Sequence, residues 1–167
     1  MKPLLALLAF ALASLGFVAT APAARAADTA QTYKVGDTFA SFTTKDQHEK
    51  DYTFEPGAVR VIVVSFEMSA GKDANAFFAE KGASFLGEHQ AVFIANIYGM
   101  PSVGRFFALP KMKRYPHRIL LADAETFLAR YPARPGQLTV LRLDASARVT
   151  AIEFVDPEKG LPAVFAK

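Results

Sequence analysis

The side chains that most often carry redox or nucleophilic chemistry are scarce in this 167-residue sequence. It contains no cysteine and only three histidines, His48, His89 and His117. Thiol–disulfide exchange needs a thiolate as the attacking group, and neither serine nor methionine supplies an ionisable sulfur near neutral pH. The sequence therefore excludes cysteine-dependent redox chemistry.

The remaining reactive residue types do not form a recognised motif. The histidines are scattered and lack a metal-binding spacing such as H-E-x-x-H. Ser102, His117 and Asp123 supply the residue types of a hydrolase triad, but no nucleophile-elbow motif surrounds the serine. No glycine pattern indicates a nucleotide or flavin site. We predict no catalytic residue, no resident metal and no cofactor, with an enzyme using non-thiol side chains as the alternative.

The N-terminus has the pattern of a secretory signal peptide. Lys2 provides the positive start, residues 4–18 are apolar and uncharged, and residues 24–26 offer small side chains for cleavage. We predict that residues 1–26 are removed and that residues 27–167 form one domain in the periplasm. The apolar run is too short for a membrane span.

Charge is balanced overall but uneven along the chain. Removal of residues 1–26 leaves 17 basic against 16 acidic residues, which gives no support to a nucleic-acid partner. No Asp or Glu occurs from residue 89 to 122, whereas this span holds five arginines and lysines. The predicted partner-binding residues are Arg105, Lys111, Lys113, Arg114, Tyr115 and Arg118. The alternative is a helix whose Phe106 and Phe107 face the core and whose cations face water.

The predicted elements alternate between strands and helices. Residues 59–66 are a β-branched, nearly continuous apolar run, typical of a strand buried on both faces, and residues 91–96 form a second such run. A helix predicted over 72–86, capped by Ser69, joins them, so we expect two parallel strands with a right-handed crossover.

Shorter elements flank this unit. Strands are predicted at 39–43, 51–54 and 118–122, and a hairpin at 138–143 and 149–154. Helices are predicted at 102–109, where Pro110 would stop the helix, and at 125–131. This order predicts an α/β fold with a central mixed sheet flanked by helices in three layers.

Two stretches of the chain resemble a known family. The first runs from Val35-Gly36-Asp37 past Asp46-Gln47 to the strand at 61–66, and the second comprises residues 119–123, the helix to Tyr131 and the hairpin at 139–149. Both are similar to the thioredoxin superfamily, in particular its redoxin and peroxiredoxin-like branch. The resemblance implies a thioredoxin-like fold. The layout also resembles exported proteins of the YtfJ type, a redoxin-like group.

The chain departs from this family at the residues that matter for redox chemistry. The loop that carries the attacking cysteine in the family corresponds here to Glu67, Met68, Ser69, Ala70 and Gly71. The resemblance therefore implies a vestigial active-site loop. Leu138 stands where thioredoxins place a proline beside their cysteine pair.

These observations favour a binding module over an enzyme. We predict an exported thioredoxin-fold protein without thiol redox activity that binds a protein or small ligand. The alternative is a non-thiol enzyme or a copper carrier, because soft thioether ligands suit Cu(I) and the chain has Met68, Met100, Met112 and His117.

Overall fold

The structure, a computed structural model, describes residues 31–166. Seven strands form one mixed sheet in the order β2-β1-β5-β4-β3-β6-β7. The strands are β1 (Thr43–Asp46), β2 (Asp51–Thr53), β3 (Val61–Ser65), β4 (Ala91–Asn96), β5 (Leu120–Ala122), β6 (Leu138–Leu143) and β7 (Val149–Val155). The helices are α1 (Met68–Lys81), α2 (Phe85–Glu88), α3 (Ser102–Met112), α4 (Glu125–Leu128) and α5 (Leu161–Val164).

The centre of the sheet is β3, as the apolar run predicts. All five of its residues are buried, because β4 pairs with it in parallel on one side and β6 pairs antiparallel on the other. Parallel pairing continues from β4 to β5, whereas β1, β2 and β7 are added antiparallel. The predicted parallel unit of β3, α1 and β4 and the hairpin of β6 and β7 are confirmed.

Alternation along β3 divides the core into two layers. Val61 and Val63 pack under α1 against Ala74 and Phe78, while Ile62 and Val64 point to the opposite face, since successive strand side chains alternate. The opposite face is covered by the segment before β3 and by α4. The α/β fold with a helix-flanked mixed sheet is therefore confirmed.

Several predicted boundaries are wrong for identifiable reasons. The strand expected at 39–43 lies instead at Thr43–Asp46. The apolar alternation before it arises because Phe39 and Phe42 pack into an aromatic cluster with Phe54, and only Thr38 forms an isolated bridge, to Arg148.

The helix expected over 72–86 is two helices. The first, α1, starts at Met68, so most of the predicted loop is the first helical turn, and its N-cap is Glu67 rather than Ser69. It ends at Gly82, whose φ of 93° is readily adopted only by glycine. After this break, α2 forms separately.

Helix α3 continues through Pro110 to Met112, so the predicted stop at this proline is wrong. A proline cannot donate to the carbonyl four residues earlier. Here Pro110 and Phe106 are both exposed, so water can satisfy that carbonyl. The helix predicted at 125–131 is the shorter α4, and α5 was not predicted.

Residues 1–30 and residue 167 lie outside the part of the chain that the structure describes. The predicted signal peptide, residues 1–26, lies outside the described residues. Within residues 31–166 no helix combines the length and apolarity needed to cross a membrane.

Candidate functional site

A cleft of about 340 Å³ opens between α1 and α3 at the C-terminal ends of β3 and β4. Ligands of open α/β sheets bind at this edge, outside the carboxyl ends of the strands. Its walls are mainly apolar. The cleft is lined by Ser65, Glu67, Met68, Gly71, Lys72, Asn75, Ala95, Asn96, Ile97, Met100, Gly104, Phe107, Ala108, Lys111, Met112 and Tyr115.

Close packing of α1 on β3 fixes one wall of the cleft. Gly71 lies so near β3 that a Cβ atom on it would stand 3.0 Å from the Ser65 hydroxyl oxygen, which is closer than ordinary contact. The helix therefore approaches the strand end because this position has no side chain. At the helix start, the Glu67 side chain accepts a hydrogen bond from the Gly136 N–H at 2.9 Å.

Four polar groups of the cleft have no partner among residues 31–166. The Ser65 side chain is 2% exposed, and its hydroxyl makes no hydrogen bond there. The Tyr115 hydroxyl likewise has none, and the ammonium groups of Lys72 and Lys111 form no ion pair. An apolar cavity with a few convergent polar groups is typical of small-molecule sites.

A buried amide and imidazole lie below the cleft. Asn75 donates from Nδ2 to the Gly71 carbonyl at 2.7 Å and accepts at Oδ1 from His117 Nε2 at 3.0 Å. The proton is therefore on Nε2, and Nδ1 of His117 is buried without a partner. Burial lowers the pKa of His117 to about 4. Asn75 lines the cleft, whereas His117 does not.

The predicted partner-binding cations have different environments. Arg105 bonds the Ile97 and Met100 carbonyls and pairs with Asp123, so its donors are used within the chain. Lys113 pairs with Glu49 at 3.0 Å. The guanidinium of Arg118 lies 3.6 Å from the Asp46 carboxylate and over the Tyr52 ring.

The other predicted partner-binding residues are closer to the cleft. Lys111 and the half-buried Tyr115 line it. Arg114 is exposed and has no ion pair within the described chain. The structure therefore brings two of the six residues to one site and directs three of the others into internal pairs.

The two phenylalanines of α3 face solvent. Phe106 and Phe107 are 73% and 69% exposed, and their rings meet edge to face at 5.3 Å. Val103 is also exposed and was missed from the sequence. Residues 103, 106, 107 and 110 share one helix face. This spacing defines an apolar stripe, but it does not indicate whether the stripe faces the core or the solvent. Phe107 connects this stripe to the cleft.

The segment predicted to be a vestigial active-site loop lies at the cleft on the α1 side, where Glu67, Met68 and Gly71 line it. Glu67, Met68 and Ser69 are exposed, whereas Ala70 and Gly71 are buried. Leu138 pairs with Ser65 across β3 and β6 and is fully buried.

The structure does not assemble a catalytic triad from the three residue types present. Asp123 is paired with Arg105, His117 is fully buried beside Asn75, and Ser102 is exposed at the start of α3. Within residues 31–166 no group of three His, Asp or Glu side chains is placed to hold a metal ion.

A second cavity of about 500 Å³ lies at the opposite ends of β3 and β4. Its lining includes three buried polar side chains, those of Asp46, Gln47 and His117, and the first two are engaged within the protein. Asp46 accepts from the N–H groups of His48 and Lys50, and Gln47 bonds the backbone of His117 and Ile119. The second cavity has mixed polar and apolar walls, whereas the cleft between α1 and α3 is mainly apolar and has Met68 and Phe107 exposed at its mouth, so this cleft is the better candidate site.

Comparison with known proteins identifies the fold. No family model matches the sequence, and no curated protein is significantly similar to it. The solved structure of the peroxidoxin BcpB from Mycobacterium tuberculosis is similar, with a TM-score of 0.51 and 16% identity over 78% of this chain and 92% of that chain. A putative protein disulfide isomerase from Bacteroides thetaiotaomicron also has a TM-score of 0.51, with 15% identity over 78% and 85% of the two chains.

A third similar structure is a peroxiredoxin-like protein from Aquifex aeolicus, with a TM-score of 0.51 and 13% identity over 79% of this chain and 82% of that chain. At these identities the likeness concerns the fold alone. The chain has a thioredoxin-like fold, similar to peroxiredoxins and thiol–disulfide oxidoreductases, and it has no cysteine.

Proposed function

We propose that this chain is an exported periplasmic binding protein that holds the apolar part of a ligand or partner in the cleft between α1 and α3. Its thioredoxin-like fold serves here without thiol redox activity, because no thiolate is available to attack a disulfide or a peroxide. The resemblance to exported proteins of the YtfJ type agrees with this role.

One observation carries the proposal. The cleft is a largely apolar opening of about 340 Å³, and Met68 and Phe107 at its mouth are each 69% exposed. Large apolar side chains left exposed around a concavity indicate an interaction site. Methionine side chains adapt their shape to different apolar partners, and three of them line this cleft.

The cleft can be tested with an uncharged fluorescent dye. N-phenyl-1-naphthylamine should brighten on binding to the purified protein, and Ala108→Phe should abolish this signal because the added ring occupies the cleft. Ala76→Phe is the matched control, since Ala76 is exposed on α1 and does not line the cleft. Equal dye binding by both variants would contradict the proposal.

Export can be tested separately. N-terminal sequencing of protein from the periplasmic fraction should begin near Ala27 if residues 1–26 are a signal peptide. Protein that retains Met1 and remains in the cytoplasm would contradict the proposed localisation while leaving the cleft proposal intact.

The occupant of the cleft can also be a protein that binds the segment from residue 105 to 118. The exposed Phe106 and Arg114 support it. Association should weaken as salt rises, because charges are screened beyond about 8 Å at physiological ionic strength. Charge reversal at Lys113 and Arg114 should weaken association without unfolding the domain.

The second candidate function is a copper carrier. All three methionines of the described residues, Met68, Met100 and Met112, line the same cleft, and thioether sulfur is a ligand suited to Cu(I). Titration with Cu(I) under reducing conditions should then show one site that is lost in Met100→Leu. Absence of stoichiometric binding would remove this candidate.

A further inference from the structure

We infer that the natural ligand of the cleft is a small amphiphilic carboxylate, with its apolar body against the cleft walls and its carboxylate at Lys72 and Lys111. The inference rests on the proposed function, because it names the chemical class of ligand for the same cleft. It also assigns a role to polar groups that the fold itself leaves without partners.

The interior of the cleft suits an alkyl or aryl body. Ala95 and Ile97 are buried at the strand ends and Met112 is 9% exposed on α3, so the ligand meets carbon and thioether surfaces. The volume of about 340 Å³ is at the lower end of the range of small-molecule sites. The ligand is therefore small.

Charge at the cleft distinguishes an anion from a neutral or cationic ligand. Lys72 lies on the α1 wall and Lys111 on the α3 wall, and neither has an ion-pair partner in the described part of the chain. The lining contains one acid, Glu67, and one oxygen of its carboxylate is engaged by the Gly136 N–H. Lys72 and Lys111 are both exposed and outnumber the Glu67 carboxylate, so the lining carries a net positive charge that favours a carboxylate over an ammonium group.

Hydroxyl groups supply a second, independent indication of a polar ligand atom. Ser65 is 2% exposed, lines the cleft and has no hydrogen-bond partner within residues 31–166. Among the described residues, Arg60 Nη1 and His117 Nδ1 are the fully buried side-chain atoms without a partner, so the Ser65 hydroxyl is open to the cleft. The half-buried Tyr115 hydroxyl also has no partner in the described chain, so a ligand with oxygen atoms fits the cleft better than a pure hydrocarbon.

The same charges argue against a second copy of the chain as the occupant. In each copy Lys72 and Lys111 outnumber Glu67, the one acid of the lining, so two copies placed cleft to cleft would bring net positive charge against net positive charge, which opposes association. A protein segment that inserts one apolar side chain is the remaining alternative, and the test below distinguishes it.

The test compares three ligands that share a ten-carbon chain. Isothermal titration calorimetry of the full mature protein should show decanoate binding about tenfold more tightly than decanol, with decyltrimethylammonium weaker still, all below their micellar concentrations. Octanoate and dodecanoate test the length of the apolar body. Ala108→Phe should remove the binding of every ligand in the series.

Lysine variants locate the carboxylate. The double variant Lys72→Met, Lys111→Met should lose the preference for the carboxylate, with the ratio of decanoate to decanol affinity falling about tenfold. The matched control is Lys34→Met, Lys159→Met, because both of these lysines are exposed and do not line the cleft. It should bind both ligands as the parent protein does.

The outcomes separate this inference from the proposed function. Equal affinity for decanoate and decanol, or an unchanged ratio of these affinities in the cleft-lysine variant, would overturn the inference and leave an apolar binding cleft. Failure of every carboxylate to bind, while the uncharged dye still responds to Ala108→Phe, would overturn it in favour of a protein side chain. Absence of all binding, dye included, would overturn both.

Discussion

His117 is a buried imidazole whose neutral form the fold requires. It is fully buried among Phe78, Phe93 and Tyr115, and within residues 31–166 its ring hydrogen-bonds only to Asn75. Because Nε2 already carries a proton, protonation would occur at Nδ1, which has no partner, and would place a charge in this apolar layer. His117, which the sequence offered as a possible copper ligand or triad residue, is therefore a structural residue, and its burial lowers the stability of the protein in acid.

The pKa of His117 determines a pH dependence of stability. Because burial lowers the pKa from 6.5 to about 4, the unfolded chain binds a proton before the folded chain does. Stability is complete above pH 6.5 and falls by up to about 1.4 kcal/mol per pH unit as the pH drops towards 4. We expect a total loss of about 3 kcal/mol, measured by urea unfolding at a series of pH values.

Variants test the assignment to this residue. His117→Gln should flatten the dependence between pH 6.5 and 4, even if it lowers stability at pH 7. His48→Gln should retain it, because His48 is exposed. If the free energy of unfolding of His117→Gln falls with pH as steeply as that of the parent protein, other groups cause the loss of stability.

The close approach of α1 to β3 depends on the absence of a side chain at Gly71. A Cβ at this position would meet the Ser65 hydroxyl at 3.0 Å, so we expect Gly71→Ala to be destabilised by about 1 kcal/mol although alanine favours helices. Removal of the hydroxyl should restore space. In a double-mutant cycle measured by urea unfolding, Gly71→Ala should cost less in the Ser65→Ala background. A cycle with no coupling would show that the helix shifts freely.

At the scale of elements, the connection from β4 to α3 is held by Arg105. Its Nη2 donates to the Ile97 carbonyl at 2.9 Å and its Nε to the Met100 carbonyl at 3.2 Å, and the guanidinium also pairs with Asp123. This pairing lowers the pKa of Asp123, chiefly through the hydrogen bond from Arg105. Arg105 therefore orders one side of the cleft rather than presenting charge to a partner.

Removal of this side chain should loosen the connection. Charge-assisted hydrogen bonds to backbone carbonyls stabilise a fold substantially, so we expect Arg105→Ala to lower the free energy of unfolding by about 2 kcal/mol. Arg114→Ala, on the same segment but exposed, should change it by less than about 0.5 kcal/mol. Equal effects in chemical denaturation would contradict the assigned role.

The elements of the central sheet were predictable because burial on both faces leaves a clear pattern. The β-branched apolar runs of β3 and β4 indicate buried strands, and a helix between two strands favours their parallel direction. The element ends were less predictable. Gly82 ends α1 because its backbone adopts a positive φ angle. Pro110 is tolerated inside α3 because it lies on the solvent-exposed face of the helix. Neither property can be read from the residue types alone.

The site was predictable only in part. The sequence indicated the segment containing Lys111 and Tyr115 and the residues around Met68, but it did not show that they belong to one cleft. These residues line one cleft because α1 and α3 both lie at the C-terminal ends of β3 and β4. Phe106 and Phe107 were ambiguous, because an apolar stripe of the same spacing can face the core or the solvent.

At the scale of the whole molecule, a thioredoxin-like fold is retained without its usual chemistry. We expect the purified mature protein neither to reduce insulin disulfides nor to consume hydrogen peroxide in the presence of a thiol donor, because the first step of each reaction needs a thiolate. Spectrophotometric turnover assays with thioredoxin as the positive control test this. Protein-dependent turnover in a clean preparation would reveal a mechanism that does not use cysteine.

The sheet order also determines when each part of the molecule can fold. Strand β1 precedes all the others, yet its neighbour β5 lies far along the chain, so that the Thr44 hydroxyl bonds the Leu121 carbonyl 77 residues later. During synthesis from the N-terminus the β1–β2 hairpin is therefore exposed until β5 emerges, and an isolated two-stranded hairpin is marginally stable. In pulse-labelled hydrogen exchange, the amides of β1 should become protected after those of β3 and β4, so that the first strand of the chain joins the sheet after strands that follow it in the sequence.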